Sequence, residues 1–220
     1  MADYVILMGD IVASSSYAGD RLRQAFMAQI EDCNAALQEG ILSPYTITLG
    51  DEFQGVAASL RSALEALFYL EEHIPLSDPP FQLRYVIVHG EIDTPINPKK
   101  AYAMMGPGLT QARQMLTDKR RGQQRFRCSL SDAFATTQFG RLFLVLESLI
   151  GRWSRADAEL IRDMIANPHN GEVGRLHGKN RSQIWKRRKH LLVEEYRALK
   201  AAILDMPDAC LAGESQRITC

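Results

Sequence analysis

Apolar positions along this chain fall into two periods, and their succession predicts the order of elements. Residues 4–8 (YVILM) form a short uninterrupted apolar run ending at Gly9-Asp10, the pattern of a strand buried on both faces, with Asp10 directed out beyond the sheet. Leu22, Phe26, Ile30, Cys33 and Leu37 recur at three- and four-residue steps, one face of a helix over 21–37 that Gly40 stops. Residues 45–49 and 53–56 are strand-like on either side of Gly50-Asp51, which predicts a hairpin with Asp51 at its tip. Leu60, Leu64, Leu67, Phe68 and Leu70 mark a second helix, closed by the proline-containing stretch 74–80, and 81–89 reads as the next strand. Gly106-Pro107-Gly108 opens a shorter helix with Leu109, Ala112 and Leu116 on one side, and 125–130 supplies a last strand.

The predicted order is β-α-β-β-α-β-α-β. Two β-α-β halves around one sheet make an α+β, ferredoxin-like plan, an antiparallel sheet covered by helices on one side. Beyond about residue 138 only helical spacing remains: the apolar stretch 142–150 with Trp153, then Ala158, Leu160, Ile161 and Ile165, and later Val193, Tyr196, Leu199 and Ile203. The expected division is therefore a sheet domain over 1–137, an all-α domain over 138–206, and a weakly ordered tail over 207–220.

Composition narrows the class. A hydrophobic fraction of 46% supports ordinary buried cores and excludes general disorder. The 26 basic and 26 acidic residues balance, so any argument for an anionic partner must come from local clustering. Cys33, Cys128, Cys210 and Cys220 are scattered and read as reduced thiols. The five histidines show no metal-ligand spacing, and no Ser or Cys sits in a nucleophile motif. The opening MADYVILMGDIVAS has no basic leader, and its apolar run is too short to span a bilayer; a cytoplasmic protein is expected.

Asp10 after a strand and Asp51 at a hairpin tip are placed to bring two carboxylates to one sheet edge. Mg²⁺ and Mn²⁺ prefer oxygen ligands, and one or two carboxylates suffice where water and substrate phosphates complete the shell. A Gly-Asp pair also marks ordinary turns, and an Asp after a strand also caps helices.

These residues resemble the class III nucleotide cyclases and their diguanylate-cyclase relatives. MGDIVAS and TLGDEFQ match the strand-end Asp and the Gly-Asp hairpin, and LRYVIVHGEI is similar to the cyclase segment Arg-x-Gly-Ile-His-x-Gly-Glu. The GPGLTQARQML segment lies where cyclases begin the next helix. The resemblance implies Asp10, Asp51 and the carbonyl of Ile11 as metal ligands, with Glu52, Gly106 and Arg113 near a nucleotide or other phosphorylated ligand. It also implies a homodimer, because cyclase sites commonly form between two chains. Active cyclases carry an Asn and an Arg in that helix where this chain has Thr110 and Gln114. Loss of a preorganised cation costs about 10²- to 10³-fold in rate, so no catalytic residue is assigned. With LESLIGRW and the basic terminal helix, the whole chain looks closest to the SatD-like family, in which a cyclase-like domain precedes a helix-turn-helix.

From Arg175 to Lys189 there are seven Lys or Arg residues and no acid, a local footprint for phosphate. A helix over 172–177, Gly178 at a turn and a second helix over 181–189, with Val173 and Ile184 inward, make a helix-turn-helix pattern. His177 and Lys179 stand where apolar residues usually flank the turn, and Leu176 is expected to take part of that role. Lys179, Asn180, Arg181, Ser182, Gln183 and Lys186 are candidates for base or backbone contacts with DNA, and Arg187, Arg188 and Lys189 for phosphates. The competing reading is a solvated basic face with Trp185 packed on the sheet domain. Three functions remain open: a regulator binding DNA and a nucleotide, a metal-dependent enzyme on nucleoside triphosphates, and a non-catalytic dimeric scaffold.

Overall fold

The computed structural model describes residues 2–14, 19–118 and 123–217, with the backbone alone from 208 onward. Its first part follows the predicted order: β1 (Ala2–Ile11), α1 (Gly19–Ala36), β2 (Ile41–Ile47), β3 (Glu52–Ala57), α2 (Leu60–His73), β4 (Leu83–Ile92), α3 (Pro107–Thr117) and β5 (Phe126–Ser129). The strands form one sheet in the order β2-β3-β1-β4-β5. β1 lies antiparallel between β3 and β4, and β5 runs parallel to β4. The first four strands have the ferredoxin-like arrangement; the fifth is parallel because α3 supplies the crossover that parallel neighbours need.

β1 outlasts its apolar run. Gly9, Asp10 and Ile11 all pair with β4, opposite Tyr85, Arg84 and Leu83, so Asp10 lies within the sheet rather than beyond its end. Gly9 is required there, since a Cβ would stand 2.4 Å from Cε1 of Phe53.

The sheet is covered on both faces, not one. Val5, Leu7, Phe53, Tyr85 and Ile87 pack with Phe26 of α1 and Leu64 of α2 in one core. Ile6, Met8, Val56, Val86 and Val88 face the other way, beneath Leu109, Ala112 and Leu116 of α3. The reason lies in β1 and β4, which are apolar at consecutive positions. A single helical layer would leave one parity in water, and each such side chain gains roughly 1.5–3 kcal/mol on burial.

Helices complete the chain: α4 (Ala133–Ile150), α5 (Ala158–Ala166), α6 (Asn170–Leu176), α7 (Arg181–His190) and α8 (Val193–Arg217). The expected boundary at 137/138 falls inside α4, which starts where the Asp132 side chain accepts from the Phe134 amide at 2.8 Å. By length and composition α4 is apolar enough to cross a membrane, yet its Ala135, Phe139, Phe143 and Leu146 are buried. Phe143 lies 5.9 Å from Phe126, which stacks on Tyr85 at 5.6 Å. Tyr196 and Ile203 of α8 join the same core, and the Tyr196 hydroxyl donates to Glu72 at 2.7 Å. α4 and α8 thus belong to the sheet's core, while Leu160, Ile161, Met164, Val173 and Ile184 of α5 to α7 build a smaller core of their own. Where a tail was expected from 207, α8 continues through Pro207 to Arg217. Cys33 and Cys128 are free thiols, and burial pushes each up to about 12, which removes both as nucleophiles near neutrality.

Phe143→Ala tests whether α4 is integral to the sheet. It is expected to cost about 3–5 kcal/mol in urea unfolding, with circular dichroism and tryptophan emission changing in one coincident transition.

Candidate functional site

The corner of the sheet expected to hold a metal is a row of alternating charge. Glu52, Asp10 and Arg84 sit side by side on β3, β1 and β4. Nε and Nη2 of Arg84 donate to the two carboxylate oxygens of the fully buried Asp10, at 2.9 and 2.8 Å. Arg113 reaches down from α3, donating to Glu52 at 2.9 Å and to the Gln54 side-chain carbonyl at 3.2 Å. The Gln54 amide in turn donates to the Ala101 carbonyl at 2.6 Å. Glu52 and Arg113, both expected near a ligand, are therefore brought together, and Arg84 and Gln54, which stand inside the segments LRYVIVHGEI and TLGDEFQ but were not among the expected site residues, join them.

Asp51 belongs to a different surface. Its carbonyl accepts from the Ile11 amide at 2.9 Å, and its Oδ2 accepts from Ser14 at 2.7 Å. With Ile11, Ser14, Asp20 and Arg23 it lines an open cleft of about 500 Å³ in which Asp10 has no part. Among the described residues no group of three or more His, Cys, Asp or Glu side chains converges as for a metal. Both Asp10 oxygens already meet a guanidinium, so Asp10, Ile11 and Asp51 as arranged do not fit a resident Mg²⁺ or Mn²⁺.

The start of α3 is set by packing against β4. A Cβ on Gly108 would stand 2.8 Å from the Gly90 carbonyl carbon, and one on Gly106 would stand 2.6 Å from the Glu91 oxygen. These glycines bring α3 close to β4, which accounts for Gly106 without a phosphate. Thr110 and Gln114 face solvent on α3 while Arg113 turns inward to Glu52.

At the other end of the molecule, α6 and α7 are joined through Gly178 at φ +61°, with Val173 and Ile184 inward as expected. Leu176 does not take the inward role; it is 72% exposed, and His177 instead bonds Asp163 at 2.9 Å. Asn180 and Gln183 form a reciprocal cap, each side-chain oxygen accepting from the other's amide at 2.9 Å. Their side chains are thereby committed to starting α7.

Arg188 is a clamp rather than a phosphate contact. It is 5% exposed and donates to Asn170 at 2.9 Å, to the Met164 and Asn167 carbonyls at 2.7 Å each, and to Glu194 at 2.9 Å. These bonds tie α5, α6, α7 and α8 together. Arg187 pairs with Asp157; burial acts to raise that carboxyl, but hydrogen bonds from Ser154 and Arg187 outweigh it and hold Asp157 below its ordinary value. Arg181, Ser182, Trp185, Lys186 and Lys189 remain exposed at the spacing of one helical stripe, with Lys179 exposed just before it. Trp185 is 53% exposed, so it is not packed on the sheet.

The architecture defines the class: an α+β protein whose ferredoxin-like sheet, extended by a parallel fifth strand, carries a small helical unit. The chain belongs to the SatD family, whose family model matches residues 4–188. No curated protein sequence matches it. Among solved structures it is similar to a bacterial light-regulated adenylyl cyclase, at 11% identity and TM-score 0.45 over 58% of this chain and 76% of that one. It is also similar to the guanylate cyclase domain of RhGC from Catenaria anguillulae in complex with GTP, at 15% identity and TM-score 0.39 over 54% and 75%. A third is the catalytic core of a rhodopsin-guanylyl cyclase with converted specificity in complex with ATPalphaS, at 16% identity and TM-score 0.42 over 64% and 84%.

Arg84→Met removes the guanidinium that meets both oxygens of the buried Asp10 carboxylate. It is expected to lower the unfolding free energy by about 3–5 kcal/mol, and Asp10→Leu in the same chain is expected to recover most of that loss; urea titration of the unsubstituted protein and the two variants checks both.

Proposed function

We propose that this protein is a cytoplasmic DNA-binding regulator that uses α6 and α7 as a helix-turn-helix. The observation that carries the reading is the exposed stripe on α7 in a chain of zero formal net charge. An α-helix fits the major groove with its first residues nearest the base edges. Arg181 and Ser182 occupy that first turn, while Lys179, Lys186 and Lys189 are set for phosphates. Trp185 supplies an apolar surface among them. The Arg188 clamp supports the reading because it fixes α7 against α5 and α6, so little order is lost on docking. In a homodimer, two such helices would address half-sites about one helical turn apart or a multiple of it.

A second reading, a nucleotide or other phosphorylated ligand at the sheet corner, is favoured by Arg113. Its side chain is 37% exposed and rests on Glu52, from which a phosphate can draw it. Binding of this kind needs no resident metal. Cyclisation is not part of the proposal, because the positions for orienting ribose and phosphate carry Thr110 and Gln114.

Fluorescence anisotropy with a duplex of genomic sequence tests the first reading. Lys186→Glu is expected to weaken binding roughly tenfold and to lower the slope of log affinity against log salt by about one; equal affinity for both proteins overturns it. For the second, calorimetric titration with GTP and ATP is expected to show binding that does not require Mg²⁺ and that weakens roughly tenfold in Arg113→Gln, the loss of a charged hydrogen bond. No heat with either nucleotide removes it.

A further inference from the structure

Between the sheet and the helical unit lies a cavity of about 290 Å³. Much of its wall is apolar: Ile74 and Phe81 around α2 and β4, Ile150 and Trp153 at the end of α4, and Ile161 and Ile165 on α5. At its base Arg125 and Glu71 form a largely buried ion pair at 2.6 Å, and Arg125 also donates to the Leu83 carbonyl at 2.9 Å. Glu72, the other acid on the wall, is neutralised by Lys200 at 2.6 Å. Arg155 and Arg162 also line the cavity, with side chains 64% and 46% exposed.

Neither arginine has its carboxylate to itself. Arg155 shares the single Asp78 carboxylate with Arg21, at 3.5 and 2.6 Å. Arg162 shares Asp163 with His177, each at 2.9 Å. Guanidinium groups whose carboxylates also serve a second donor, set beside apolar wall residues, are complementary to a molecule with a hydrophobic body and an anionic head. None of these residues belongs to the sheet corner or to the exposed stripe of α7.

We propose that this cavity binds a small amphipathic carboxylate, its apolar body against Phe81, Trp153 and Ile161 and its head at Arg155 and Arg162. The volume stands at the lower limit of ligand pockets, which run about 300–1,000 Å³. A single alkyl chain or ring system fits that space, and a nucleoside triphosphate does not. The site joins α5 to the sheet, so its occupant bears directly on how the helical unit is held.

The full-length Trp185→Phe protein keeps Trp153 as its only tryptophan, since the chain has two, and thereby reports on the cavity wall. Decanoate, below its micelle concentration, is expected to give a saturable change in Trp153 emission. It should bind roughly tenfold more tightly than decanamide, the effect of a charge-assisted hydrogen bond. Arg155→Gln with Arg162→Gln, both at exposed positions, is expected to abolish that preference while leaving decanamide binding unchanged. Ala158→Phe, which fills the cavity from a buried wall position, is expected to abolish binding of both. A change that never saturates, equal affinity for acid and amide, or an undiminished preference in the double variant overturns the proposal. The double variant decides it even if Ala158→Phe does not fold. DNA plays no part in the measurement, so its failure is distinct from failure of the DNA-binding reading.

Discussion

A carboxylate removed from water keeps its charge only if another group supplies the opposite charge at close range. Asp10 is such a carboxylate, enclosed near the end of the central strand by continuous pairing of β1 with β3 and β4. Arg84, its neighbour on β4, meets that need with two hydrogen bonds. The rest of the corner follows: Glu52 on the other side of Asp10 would repel it, and Arg113 from α3 neutralises Glu52 in turn. The carboxylates of this corner are thus held by guanidinium groups.

The same rule organises the helical unit. Arg188 is buried in a stretch whose lysines face solvent, and its donors satisfy groups on three surrounding segments. It spends its charge on holding α7 in place, and the remaining stripe is offered outward. Trp153 makes the connection to the sheet, with its indole NH donating to the Leu191 carbonyl at 2.9 Å and its ring 4.8 Å from Tyr196. The sheet's core and the helical unit therefore meet at this aromatic pair, at Ile165, which packs against both cores, and at the Arg188–Glu194 bond.

Much of the fold was legible because periodicity reports local geometry. Every strand and helix of the first 130 residues was placed in order, since runs such as Leu22-Phe26-Ile30-Cys33 admit one secondary structure and one buried face. The second helical layer was harder to see. Its signal was present in the consecutive apolar positions of 85–88, where strict alternation would have marked a solvated face. The candidate site was less legible. Asp10 and Asp51 stand out as motif residues, but nothing in either motif says which face of the sheet each side chain takes. Arg84 carried a weak signal, as the one charged residue between Phe81 and Val88 in a buried strand.

By itself the sequence determined the order of elements, the membership of Val173 and Ile184 in a helical core, and the local excess of positive charge around α7. These depend on spacing along the chain and on composition, which the backbone reads directly. Tertiary structure alone decided which charges are spent internally. Arg188 and Lys189 are adjacent in sequence and alike in charge, yet one is enclosed and the other exposed, because a turn of 100° per residue separates their directions on a helix. Asp10 likewise became an arginine partner rather than a free ligand through strand register, which brings residues 74 positions apart into hydrogen-bonding distance.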